Sequence, residues 1–75
     1  MEPLDEIDAY IGRRISHIRK AAAMTQESLA QATGMDLSSL RDMEAGRAKV
    51  FAATLLGASA ALGVPVAALL PPDTR

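Results

Sequence analysis

Met24-Thr-Gln-Glu-Ser-Leu-Ala-Gln-Ala-Thr-Gly34 runs straight into Met35-Asp-Leu-Ser-Ser-Leu-Arg-Asp-Met-Glu-Ala-Gly46, and this stretch decides the fold. Thr25 offers a side-chain oxygen to the free N–H groups of a short helix over Gln26 to Thr33. Gly34 stops that helix, because glycine enters the left-handed conformation of a helix end without strain. A further helix follows from about Leu37 to Ala45, with Asp36 as its cap and Gly46 as its stop. Ala30 is small enough to let the two helices approach closely. Leu40 and Met43 lie one turn apart, so both pack back against the preceding helices. The second helix of the pair is then held as a projecting rod.

Outward from this centre, Leu4, Ile7, Ile11, Ile15, Ile18 and Ala22 recur at spacings of three and four, which predicts an N-terminal helix. Pro3 suits its first turn, its early acids suit the N-terminal end, and Arg19 and Lys20 suit the C-terminal end. A fourth helix is expected over Phe51 to Leu62, ended by Gly63, with only Thr54 and Ser59 polar along it. A helix apolar nearly all round is buried on more than one side, and a partner subunit is the natural cover in so small a domain. Pro65 opens a short fifth helix, Val66 to Leu70, which Pro71-Pro72 ends, leaving a frayed tail at Asp73-Thr74-Arg75. Residues 1–75 therefore form a single domain with a core of about 4–70 and no internal repeat.

Composition agrees with an all-α chain. Fifteen of the 75 residues are alanine, against three valines and four isoleucines, which favours helix over sheet. No cysteine is present, so disulfides, cysteine metal sites and thiol catalysis are excluded together. A lone histidine, His17, cannot build a metal site within one chain, and no metal or cofactor is expected. No apolar run reaches membrane-spanning length, and the acidic start has the wrong charge for a signal peptide. A cytoplasmic location is expected. The net charge of −1 hides an asymmetry: residues 1–10 carry four acids and no base, whereas residues 11–50 carry seven basic against four acidic side chains, a net +3. The middle of the chain is where an anion docks.

A tight turn between two short helices, with the second projecting, is what a helix-turn-helix needs to enter a DNA major groove. The residues also resemble a known family. Ile11-Gly-Arg-Arg-Ile-Ser-His-Ile-Arg19, Met24 to Gly34 as quoted, Met43-Glu-Ala-Gly46 and Ala61-Leu-Gly-Val-Pro-Val-Ala-Ala-Leu-Leu70 are similar to the phage-repressor/Cro-type (XRE) helix-turn-helix domain. The likeness covers roughly residues 8–70 and implies a compact five-helix, lambda-repressor-like fold. It further implies a dimeric regulator of transcription.

The resemblance puts Gln26 at the start of the second helix on DNA phosphate, where helix N–H groups also favour an anion. It pairs Arg19 with Glu44 between the first and third helices, an architectural contact. It places Arg47 and Lys49 along the DNA backbone, with a solvated basic loop as the plainer alternative, while Arg13 and Arg14 either flank the same backbone or merely face water. Leu37, Ser38, Arg41 and Asp42 fall on the base-reading side of the third helix. Arg41 can fork onto guanine, Asp42 can accept from cytosine N4, and Leu37 can meet only a thymine methyl. Arg41 and the nearby acids can instead form ordinary surface pairs.

Phe51 departs from the family pattern, which has a polar cap at that position. It either folds onto the domain's own core or joins Leu55, Val66, Leu69 and Leu70 in a dimer seam, and the seam is favoured. The expected partners are double-stranded DNA and a second copy of the chain, with a protein partner as a further option, and neither a membrane nor a small-molecule substrate. The leading reading is a sequence-specific regulator, a repressor by expectation, acting as a homodimer on an inverted repeat. A protein-interaction module of the same fold with weak DNA affinity is the alternative. No catalytic residue can be assigned, because no nucleophile stands beside a base and no carboxylate pair is set at a working spacing.

Overall fold

The computed structural model describes residues 6–72, so Pro3, Leu4, the acids Glu2 and Asp5, and the tail from Asp73 lie outside the described residues. Those residues form four α-helices and one 3-10 turn, with no strand among them. The helices are α1 (Glu6–Ala21), α2 (Gln26–Thr33), α3 (Leu37–Glu44) and α4 (Ala52–Leu62), and the turn is Val66–Leu69. None of the described helices is long and apolar enough to cross a membrane.

The caps explain these boundaries. Thr25 Oγ1 accepts from Ser28 N–H at 3.0 Å and opens α2. Gly34, at φ 71°, ends it, with Met35 N–H donating back to the Ala30 carbonyl at 3.0 Å. Asp36 caps α3 by backbone conformation alone, since its side chain makes no cap hydrogen bond. Phe51 occupies the cap position of α4 and likewise contributes no side-chain bond. The turn after α1 uses an alanine where glycine is usual: Ala23 sits at φ 57°. Arg19 holds that turn from both ends, because its carbonyl accepts from Met24 N–H at 3.0 Å and its Nη1 donates to the Met24 carbonyl at 2.7 Å.

The core is one cluster: Ile11 and Ile15 from α1, Leu29 and Ala30 from α2, Leu40 and Met43 from α3, Ala58 from α4 and Leu69 from the final turn. Helices α1 and α3 cross so closely at Gly12 that a Cβ there would stand 1.9 Å from the Met43 carbonyl oxygen. Any residue but glycine pushes α3 away from α1 at this crossing.

Two expectations are corrected. The last element is a 3-10 turn rather than a fifth α-helix, because Leu70 precedes Pro71 and is driven to an extended conformation after a single turn. The inward stripe of α1 is Asp8, Ile11, Gly12, Ile15 and Arg19, not the all-apolar series. Ile7 is consequently exposed, and α1 stops at Ala21, leaving Ala22 exposed beyond it. Helix α4 is covered on one side only within the single chain: Ala58 is fully buried, and Ala52, Ala53, Leu56 and Ala60 face outward.

Candidate nucleic-acid interface

Helix α3 divides cleanly into two faces. Leu40, Met43 and Glu44 point inward and are buried, whereas Ser38, Ser39, Arg41 and Asp42 form an exposed face, continued by the cap residue Ala45. Leu37 belongs to neither face, being half-buried and packed against the core. The exposed face carries one cation, one anion and two hydroxyls, all with hydrogen-bonding capacity.

A network runs from the domain interior to this face. Arg19 meets Glu44 through two bonds, Nε to Oε2 at 2.7 Å and Nη2 to Oε1 at 3.0 Å, and both side chains are buried. Gln26 Nε2 donates to Glu44 Oε1 at 3.0 Å, and Gln26 Oε1 accepts from Arg41 Nε at 3.4 Å. Chemistry alone sets the amide's orientation, because an ionised glutamate only accepts and an arginine only donates. Burial acts to raise the Glu44 carboxyl. The Arg19 hydrogen bonds and charge, with bonds from Gln26 and Ser16, outweigh it and hold the group below the usual glutamate value. Gln26, half-buried at the first residue of α2, thus connects the ion pair to the surface arginine.

The loop after α3 turns at Gly46 and returns Arg47, whose N–H donates to the Asp42 carbonyl at 2.9 Å. Arg47 Nη2 also meets Asp42 Oδ1 at 2.9 Å, an exposed ion pair. Lys49 Nζ lies 3.5 Å from Asp8 Oδ2, and Asp8 Oδ1 accepts from Val50 N–H at 3.0 Å. Asp8 is therefore more than a helix-start acid: it is buried and fastens the loop to α1. Its spacing from Ile11, Ile15 and Arg19 places it on the inward stripe, a signal missed when only apolar residues are counted.

Two further expectations change. Arg14 is engaged within the domain, since its Nε donates to the Ala68 carbonyl at 2.9 Å and ties α1 to the final turn. Leu69 cannot enter a seam, because it is 0% exposed, packed by the single 3-10 turn against the core. Leu55 is half-buried against the same core and Val66 is half-buried, whereas Leu70 is exposed. Phe51 is 64% exposed, which answers the question of its own-core packing. Leu56, absent from the sequence reading, is 61% exposed on α4. The two polar residues of that helix, Thr54 and Ser59, are half-buried rather than outward, so polarity could not single Leu56 out.

Comparison with known proteins fits this geometry. A family model described as a helix-turn-helix domain matches residues 11–70. The chain is 32% identical over 63 residues to an uncharacterised transcriptional regulator in the ATPase CF(0) region of Rhodospirillum rubrum, covering 84% of this chain and 58% of that protein's length. Among solved structures, the restriction-modification controller protein C.AhdI from Aeromonas hydrophila superposes with a TM-score of 0.77 at 30% identity, covering 81% of this chain and 92% of that one. The clp gene regulator ClgR from C. glutamicum superposes at 0.81 with 29% identity, covering 91% and 86%. The turn at Gly34, the ion pair beneath α3 and the match over 11–70 lead to one assignment: the chain belongs to the helix-turn-helix domain family, of the phage-repressor/Cro type.

Proposed function

We propose that this chain is a sequence-specific double-stranded DNA-binding regulator of transcription, acting as a homodimer that represses from an inverted repeat. The observation that carries the reading is the exposed Ser38, Arg41 and Asp42 face on a helix whose other face is locked into the core. Arg41 and Ser38 read base edges, with Asp42 beside them and Leu37 limited to a methyl contact. Gln26, Arg47 and Lys49 supply the phosphate contacts at the start of α2 and in the following loop. Two copies of α3 enter successive major grooves about 34 Å apart.

Exposed apolar side chains support the second copy. Phe51, Leu56 and Leu70 stand in water in the single chain, and Leu56 shares its face of α4 only with alanines. Phe51 and Leu70 therefore stay in the proposed seam, joined by Leu56 and edged by the half-buried Leu55 and Val66. The same exposed residues favour a second reading, a protein-interaction module whose partner covers Phe51 and Leu56.

The test is selection of bound duplexes from a random library, followed by fluorescence anisotropy on the enriched sequence from low to moderate salt. An enriched inverted repeat with affinity falling steeply as salt rises is the expected result. Arg41→Ala and Ser38→Ala then relax base preference at one position in each half-site. A folded, dimeric sample that enriches nothing overturns the reading in favour of a protein partner.

A further inference from the structure

Asp42 is the one carboxylate on the exposed face of α3, and the molecule already gives it a counter-ion. Arg47 is bound to it twice, by its main-chain N–H on the Asp42 carbonyl at 2.9 Å and by Nη2 on Oδ1 at 2.9 Å. The side-chain pair is open to water, with 67% of Arg47 and 52% of Asp42 accessible. An exposed pair of this kind shifts an equilibrium by about fivefold at most, so a phosphate can take Arg47 away from it.

We infer that Asp42 is a specificity-determining residue that works by rejection, with Arg47 as the partner it must give up. The inference rests on the DNA-binding reading above. When α3 lies in a major groove, Arg47 has two destinations. If it moves to a phosphate, the Asp42 carboxylate is left as an acceptor among phosphates. It then needs a donor from a base edge, and cytosine N4 is the amino group that suits a carboxylate there. If Arg47 stays on Asp42, a phosphate contact is forfeited. A duplex with the amino group in the right place incurs neither loss, and every other duplex incurs one of them. Discrimination of this sort comes from making wrong partners unfavourable rather than the right partner tighter.

The experiment uses the full chain, the duplex enriched from the random library and a scrambled duplex of the same length, at one fixed salt concentration. Asp42→Ala is compared with Asp36→Ala, which removes an equal charge from the opposite end of α3. Thermal melts establish that both variants fold, and Asp42→Ser replaces Asp42→Ala if the latter does not. Asp42→Ala is expected to tighten scrambled duplex by about tenfold while moving the enriched duplex by about twofold or less, so the ratio between them narrows. Asp36→Ala is expected to move both duplexes by one factor. Repeating the selection with Asp42→Ala is expected to erase one cytosine preference in each half-site. Equal tightening on both duplexes by Asp42→Ala, or the same narrowing by Asp36→Ala, overturns the inference and leaves the DNA-binding reading standing. Wild-type protein that binds neither duplex overturns both.

Discussion

Glu44 Oε1 accepts from Gln26 Nε2 at 3.0 Å, so a buried ion pair between α1 and α3 sets the orientation of an amide at the first residue of α2. That single bond joins what holds the domain together to the exposed face of α3. Removing the carboxylate should therefore be felt in stability and in the position of Arg41 alike.

Acid is expected to weaken the fold through Glu44. Its folded pKa lies below the ordinary 4.5, so the stability it contributes is fully present above that value and is lost as pH falls through the lower folded one. Urea midpoints should be flat from neutrality to about pH 5 and fall below it. Glu44→Gln leaves a buried Arg19 without its counter-charge, a change of roughly 3 kcal/mol or more. A domain of this length has a total stability of roughly 4–11 kcal/mol, so the loss is severe. A Glu44→Gln midpoint equal to wild type at pH 7 contradicts the argument.

Gly12→Ala is expected to destabilise by about 3 kcal/mol, near the top of the range for overpacking. The obstruction is the Met43 main-chain carbonyl, which no rotamer change can clear. Circular dichroism melts decide this, and a Tm within two or three degrees of wild type (~2–3 °C, under about 1 kcal/mol for this size) rules it out.

Ala23→Gly works in the opposite direction. A left-handed alanine costs about 1–2 kcal/mol relative to glycine, of which the greater freedom of unfolded glycine takes back about half. A net gain of roughly 0.5 kcal/mol, or a Tm higher by about 2–4 °C, is the expected outcome. A lower Tm would show that Arg19's hold on the turn already removes the strain.

Neighbouring leucines on α4 should behave differently. Leu56→Glu adds charge to an exposed position, so the fold is expected to persist and the proposed homodimer to dissociate in sedimentation velocity. Leu55→Glu puts a carboxylate against the core and is expected to unfold the chain. Unchanged dimer mass for Leu56→Glu removes α4 from the seam.

Local signals in the sequence determined most of the fold. Thr25, Gly34, Gly46 and Gly63 mark element ends through capping chemistry that acts within a few residues, and Leu40 with Met43 mark an inward face by helical period alone. Residues 26–45 were legible for that reason. Tertiary structure decided whatever depends on distant neighbours. Asp8 is buried because Val50, far along the chain, presents an N–H to it. Gly12 matters because α3 crosses there, and Arg14 turns to the Ala68 carbonyl. Polarity does not tell the two sides of α4 apart, since its exposed residues are alanines and a leucine while Thr54 and Ser59 are half-buried. Arg47 pairs with Asp42 because the turn at Gly46 folds the loop back onto α3. Period and capping are properties of short segments. Which polar group meets which is settled only when the segments are packed.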